Sequence, residues 1–171
     1  PGKEWRYSGG GTTVAQLLMM DATGQPFEAL MEATVLTPLG MRNSTYAQPL
    51  PADRAANVAR GHRSDGSVVA GEWHTYPEQA AAGLWTTPSD LARVALEVQR
   101  AYHGESDRIL SQATAREMLT EVDGGYGLGF GLGEQGGEGT FSHGGANEGF
   151  RAQFFAYRDG GRGAFIMTNS D

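Results

Sequence analysis

Apolar residues recur at helical spacing along the first half of the chain and at every second position along the last fifty or so residues. After Gly9-Gly10-Gly11, the residues Val14, Leu17, Leu18 and Ala22 fall at i, i+3, i+4 and i+8, which predicts an amphipathic helix. Thr12 or Thr13 is placed to cap its start, and Gly24 sits where a left-handed exit residue belongs. A second stripe of Phe27, Leu30, Met31, Val35 and Leu36 predicts another helix. It should stop at Thr37-Pro38, because proline disfavours helix in the residue before it. From Ala47 to Gly83 the periodicity fades among Pro49, Pro51, Gly61, Gly66, Gly71 and Pro77, a long irregular stretch of the kind that usually serves a function. Thr87-Pro88-Ser89-Asp90 then combines a threonine cap, a proline at the first helical position and an acid at the third. Leu91, Val94, Ala95 and Val98 form the buried stripe of that helix, and Gly104 marks its end. A shorter helix is predicted from Ser111, burying Ala115, Met118 and Leu119.

The period then changes to two. In Tyr126-Gly127-Leu128-Gly129-Phe130-Gly131-Leu132-Gly133 every second residue is glycine, so a strand here would be bulky on one face and bare on the other. Phe150, Ala152, Phe154 and Ala156 alternate with Arg151, Gln153, Phe155 and Tyr157, and Asp159-Gly160-Gly161 turns that run into Gly163–Thr168 as a hairpin. Helices first and an antiparallel sheet second make the class α+β. The 171 residues read as a single domain, with a mainly helical region over 1–120, including the long loop 47–83, and a sheet region over 121–171.

Composition narrows the chemistry. Apolar residues at 39% and charged residues at 19% are globular proportions, and glycine, at 26 residues, has about twice its usual share. The absence of cysteine removes disulfides, thiolate metal sites and cysteine nucleophiles. A net charge of −7 argues against nucleic-acid binding, which needs a basic face. No apolar run reaches the roughly 18 residues of a transmembrane segment. Lys3 is the single lysine, so chemistry that needs a buried lysine has one candidate at most.

His62, His74 and His103 show no metal-ligand spacing and read as surface or structural residues; no metal and no cofactor is expected. His143 stands apart, in Phe141-Ser142-His143-Gly144-Gly145-Ala146-Asn147-Glu148-Gly149. Two readings of it stand: a ligand-facing strand whose glycines free the backbone N–H groups, or a turn between edge strands. Tyr7-Ser8-Gly9-Gly10-Gly11 likewise reads as an anion-binding or proton-moving element at a helix start, or as an ordinary glycine-rich cap. Ser8 and Ser142 lie outside any G-x-S-x-G, the lone G-x-G lacks a following helix pattern, and no S-x-x-K occurs.

Taken in order, these segments resemble the serine β-lactamase and penicillin-binding protein superfamily, in the branch of class C β-lactamases, D-alanyl-D-alanine carboxypeptidases and β-lactamase-like esterases. Tyr7-Ser8-Gly9 with the two helices after it, ending at Pro38-Leu39-Gly40-Met41, resembles the Y-x-N element. Ala82-Gly83-Leu84-Trp85-Thr86-Thr87-Pro88-Ser89-Asp90-Leu91-Ala92 resembles the turn into the next helix. Tyr126-Gly127-Leu128-Gly129 resembles the start of the returning sheet, and His143-Gly144-Gly145 the K-T-G element in an H-x-G form.

The resemblance implies part of a β-lactamase/transpeptidase-like fold and acyl transfer through an acyl-enzyme. In that family the nucleophile lies in S-x-x-K upstream of the tyrosine element, so it would precede Pro1. The chain is then expected to be the C-terminal part of a larger bacterial enzyme, inactive alone, its compartment open between periplasmic, secreted and cytoplasmic. By position, Tyr7 would shuttle the nucleophile's proton, with its phenol pKa lowered by a neighbouring cation. His143 would hydrogen-bond the tyrosine or a substrate carboxylate, and Ala146 would lend its N–H to an oxyanion hole. Gly144 and Gly145 would keep the strand approachable, and Ser8 and Gly9 would line the substrate side. Gly9 stands where the family has asparagine, and His143 and Gly144 where it has lysine and threonine. Those departures shift the expectation from β-lactams toward a broader amide or ester substrate. The alternatives are a superfamily member that binds peptide-like ligands without catalysis, and an association domain pairing through an exposed sheet edge. Its partners would be a small-molecule amide or ester and either the N-terminal part of the same protein or a second copy.

Overall fold

The computed structural model describes residues 4–171; Lys3 lies outside the described residues. As the change of period predicted, helices are followed by one antiparallel sheet, an α+β arrangement. Helix α1 spans Gly9–Thr23 and exits through Gly24 at φ +66°. Its cap is Ser8, not Thr12 or Thr13. Extended backbone at Ser8 lets its Oγ accept from the Gly11 N–H at 2.9 Å. The glycine triplet therefore lies inside the first turn, and the cap contributes about 1 kcal/mol toward offsetting glycine's cost in a helix. The two threonine hydroxyls instead donate back to the Ser8 and Gly9 carbonyls.

The expected inward stripe of α1 is also reversed. Val14, Leu17 and Leu18 are exposed, and the helix buries Gln16, with Thr13 and Met20 partly buried on the same side. Both faces repeat at helical spacing, so periodicity alone could not choose between them. What faces α1 is the backbone of residues 77–82, which asks for hydrogen bonds.

Helix α2 (Phe27–Met31), a π-helical turn (Glu32–Leu36) and α3 (Thr37–Leu39) form one continuous run, closed by Gly40 at φ +66°. The predicted stop at Thr37-Pro38 is thus overrun by two residues. In the π turn the Thr37 N–H reaches back to the Glu32 carbonyl. That wider turn comes directly before the proline and opens the backbone around carbonyls its ring would otherwise strike. Leu36, Leu39 and Met41 make a small core here, with Tyr46 packed against it and edge-on to Phe27.

The irregular region holds only two short helices, α4 (Ala52–Ala55) and α5 (Gln79–Ala82). Helix α6 (Pro88–His103) begins as its sequence predicted: Thr87 caps the Asp90 N–H, and Gly104 ends it at φ +75°. The Asp90 carboxylate is buried. It accepts from the Asn43 N–H and the Ser44 hydroxyl, which ties the loop after α3 to the first turn of α6. Helix α7 (Gln112–Met118) is capped by Ser111.

The sheet is a meander, β1 (Gly131–Gln135), β2 (Glu138–Asn147), β3 (Phe150–Tyr157) and β4 (Gly163–Thr168), in that spatial order. Gly136 and Gly137, both at positive φ, make the two-residue β1–β2 turn. Asp159-Gly160-Gly161 makes the predicted β3–β4 turn. One face of the sheet carries Phe141, Phe154 and Ala156 against Ala95 and Val98 of α6, with Leu119 beside them. The glycine-alternating segment is a strand only from Gly131 onward. Tyr126–Phe130 is a tight turn, with Gly129 at φ +85° and the Gly127 N–H donating to the Phe130 carbonyl. Gly127 is fixed by space, since a Cβ there would sit 2.2 Å from the Met118 carbonyl oxygen.

Gly127→Ala should destabilise the fold by about 3 kcal/mol or more, because backbone must move to admit a methyl group. Gly24→Ala, strained in φ but in open space, should cost only about 1 kcal/mol. Urea denaturation of the two variants gives the order. Burial pushes the Tyr46 phenol up to about 12. Folded and unfolded chains are both neutral there below pH 10, and between about pH 10 and 12 only the unfolded chain ionises. Stability should therefore fall across that window, by at most about 3 kcal/mol from this residue, and Tyr46→Phe should abolish that part of the fall in alkaline unfolding curves.

Candidate active site

Residues 5–8, outside any helix or strand, lead into α1 and carry Trp5 and Tyr7, both exposed. Directly opposite stands β2. The Tyr7 hydroxyl lies 3.3 Å from His143 Nε2, a contact across 136 positions of sequence. The strand reading of His143 is therefore the one the fold adopts: it lies inside β2, paired with Phe154, not in a turn between edge strands. On an antiparallel strand His143 shares its face with Gly145, while Ser142, Gly144 and Ala146 point to the other. That division separates the two glycines. Above Gly145 the nearest neighbour to an added Cβ would be the Ala152 Cβ at ordinary contact, so the surface beside His143 is low and open. Gly144 is bare on the far side, where the Gln153 Oε1 would lie only 2.8 Å from an added Cβ.

Ser8 is committed to capping α1, so the residue next to Tyr7 sets the helix start. Gly9 is the first helical residue, and an added Cβ there would meet only the Ala81 Cβ at 3.9 Å. The position has room for a side chain. Ala146 lies near the end of β2, exposed and paired with Arg151.

Three side-chain amides fix the tyrosine segment relative to the histidine strand. Gln16 Oε1 accepts from the Ala80 N–H at 2.8 Å, which holds α5 against α1. Gln79 Nε2 donates to the Tyr46 carbonyl and to Glu28, which anchors α5 on its other side. Asn147 Nδ2 then donates to the Ala82 carbonyl at 2.9 Å, joining α5 to the end of β2. The long irregular region is thus draped along one side of the site. Beyond it, Glu148 pairs with Arg63 and His74, and its N–H meets the Tyr76 hydroxyl.

The other three histidines are engaged elsewhere: His62 with the Asn169 carbonyl, His74 with Glu148 and His103 with Asp159. Among the described residues, no three His, Asp or Glu side chains gather as metal ligands would, and no helix is long and apolar enough to cross a membrane. Ser142 lies on the sheet face opposite His143. Sequence reasoning did not single out Trp5, and it read Tyr126 only as the start of a strand. Trp5 stacks on Tyr126 at 4.8 Å, and Tyr126 lies 6.3 Å from Tyr7. The usable signal was two aromatics, Trp5 and Tyr7, two positions apart just before a helix start.

Replacing Gln16 by Met keeps the volume but strands the Ala80 N–H. It should cost about 2 kcal/mol in thermal or urea unfolding.

The model of the Beta-lactamase family matches residues 1–171. Among solved structures, the chain is similar to the D-stereospecific amidohydrolase of a Streptomyces species, with 21% identity and a TM-score of 0.77 over 100% of this chain and 52% of that one. It is similar to the octameric penicillin-binding protein homologue of Pyrococcus abyssi, with 22% identity and a TM-score of 0.80 over 100% and 40% of the two chains. The D-amino acid amidase of Ochrobactrum anthropi SV3, complexed with L-phenylalanine amide, gives 23% identity and a TM-score of 0.74 over 99% and 51%. The chain thus spans about half the length, or less, of the structures it matches. No curated protein matches it.

Proposed function

Since the chain belongs to the beta-lactamase family, with its serine hydrolase fold, we propose that it is the tyrosine- and histidine-bearing part of an enzyme that cleaves an amide or ester through an acyl-enzyme. The observation that carries this reading is the Tyr7–His143 contact, two side chains able to exchange a proton at the edge of an open strand. The nucleophile is a serine of an S-x-x-K segment outside this sequence. Its Oγ attacks the substrate carbonyl and its proton enters the Tyr7 hydroxyl–His143 pair as the Oγ–C bond forms. The C–N or C–O bond then breaks, and the leaving group takes that proton. Water repeats the sequence on the acyl-enzyme and releases the acid.

The Ala146 N–H is assigned to the oxyanion hole, with the nucleophile's own N–H as its second donor. Gly145 lets the substrate backbone lie close to β2. With Gly9 in place of a side chain that could hold a β-lactam, the reading favours amides and esters. Amino-acid amides are the first class to assay, since amidases stand among the similar structures. The exposed Val14, Leu17 and Leu18 stripe fits a surface that the nucleophile-bearing half covers.

In the polypeptide that joins residues 1–171 to its S-x-x-K segment, Tyr7→Phe should lower kcat for a nitrophenyl ester and for an amino-acid amide by about 10²- to 10⁴-fold. The 171-residue chain alone should be inert toward both. Full turnover in the Tyr7→Phe enzyme overturns the assignment.

A further inference from the structure

Beside Tyr7 the structure holds an aromatic wall with no part in the proton transfer. Trp5 keeps 43% of its surface open although it stacks on Tyr126, the two rings 4.8 Å apart and inclined by 27°. Tyr126 neighbours both Trp5 and Tyr7, and Tyr7 neighbours both Tyr126 and His143, with centroids 4.8, 6.3 and 6.1 Å apart in turn. The row Trp5, Tyr126, Tyr7, His143 therefore runs without a break from an open indole to the reacting pair. The turn that presents Tyr126 is shaped to bring the indole in. Gly124 and Gly125 both have positive φ, and a Cβ at Gly124 would stand 3.0 Å from the Trp5 ring. The Glu121 carboxylate accepts from the Gly125 N–H, and the Gly125 carbonyl accepts from the Leu132 N–H, so the turn is tied to β1 at its base. Val122, which flanks the turn, is exposed as well.

We propose that Trp5 and Tyr126 form a specificity subsite that takes the aromatic side chain of the substrate and holds its scissile amide or ester beside Tyr7 and His143. This rests on the hydrolase reading for the identity of the scissile bond, but the recognition itself is a property of this chain. The physical basis is direct. An open indole in a fixed orientation offers a polarisable, weakly hydrated face that an aromatic ring covers better than a methyl group does. The steps from Tyr126 to Tyr7 and from Tyr7 to His143, 6.3 and 6.1 Å between ring centroids, set the span over which a bound substrate reaches from the subsite to the reacting pair.

The test is binding, followed by the indole N–H resonances of the 171-residue chain during titration with N-acetyl-phenylalaninamide and, separately, with N-acetyl-alaninamide. Trp5→Phe identifies the Trp5 signal among the three. The Trp5 resonance should shift while those of Trp73 and Trp85 stay in place, and the phenylalanine probe should bind about tenfold tighter than the alanine probe. Trp5→Ala should reduce that preference to under about twofold, while Trp5→Phe keeps most of it. Tyr126→Leu should weaken it too, which guards against a fold defect special to one variant. Failure of the phenylalanine probe to bind overturns the proposal. So does a preference that survives both Trp5→Ala and Tyr126→Leu, or a shift confined to Trp73 or Trp85. Aromatic binding in a protein whose turnover ignores Tyr7→Phe would sink the catalytic assignment of Tyr7 and leave this subsite standing. Tyrosine-dependent turnover without the preference would do the reverse.

Discussion

The position of the site depends on a polar bracket: Gln16 on α1, the backbone of α5, and Asn147 at the end of β2. Tyr7 and His143 come from opposite ends of the chain, and no secondary-structure element contains both. A hydrophobic contact between helix and strand would tolerate sliding by an ångström or more, since apolar surfaces attract without direction. Hydrogen bonds to the backbone N–H of Ala80 and the carbonyl of Ala82 do not. They fix α5 at both ends, and α5 fixes the start of α1 relative to β2. The cost of this design is a buried amide on a helix whose leucines remain outside. Gln16 is worth burying because the segment it meets has backbone groups that need partners.

The sheet divides its labour along its length instead of between its faces alone. The half of β2 that contains Phe141 lies under α6 and belongs to the core, with Leu119, Phe154 and Ala156 around it. Two residues further along the same face the side chain is His143, and two beyond that it is Gly145. The strand thus passes from packed to open in four residues without changing direction. Rigidity in the first part serves the second, because His143 is carried by a backbone paired on both sides in its first half, with β1 as far as Ser142 and with β3 throughout. The glycines contribute by absence, and not all alike. Gly127 is fixed by the Met118 carbonyl, Gly124 by the Trp5 ring, and Gly145 leaves the surface low beside His143.

Much of this was legible in the sequence. Thr87-Pro88-Ser89-Asp90 specified a helix start through local chemistry that tertiary context had no reason to override, and Asp159-Gly160-Gly161 specified its turn in the same way. The juxtaposition of Tyr7 with the His143 strand followed from the order of motifs that the family resemblance supplied. The misreadings share a cause: each depended on what a segment would meet. Thr12 and Thr13 qualified as caps as well as Ser8 did, until the extended backbone before the helix selected Ser8. The proline at 38 stops an ordinary helix, but here a π turn accommodates it. Helical spacing of Val14, Leu17 and Leu18 was real, yet the opposite face, equally periodic, was the one covered. In Tyr126–Gly133, alternation of glycine suited a strand and a sequence of tight turns equally, and the crowding of Gly127 against Met118 decided for turns in the first part.

The resemblance puts His143 where the family carries a lysine, and an imidazole there differs from an ammonium in more than charge. A lysine ammonium has three donors and no lone pair, so it can steady a phenolate but cannot take a proton from a phenol. A neutral imidazole presents one acceptor nitrogen and one donor, and the Tyr7 hydroxyl lies within reach of Nε2. The contact can therefore be made in either sense, with the phenol donating to imidazole or imidazolium donating to the phenolate oxygen. Moving between the two transfers one proton along one hydrogen bond and requires no side-chain rearrangement. In the function proposed above, such a pair accepts a proton from the nucleophile and returns it to the leaving group through the same two atoms. In the subsite proposed above, the aromatic row that begins at Trp5 and ends at this pair orients the substrate through ring contacts.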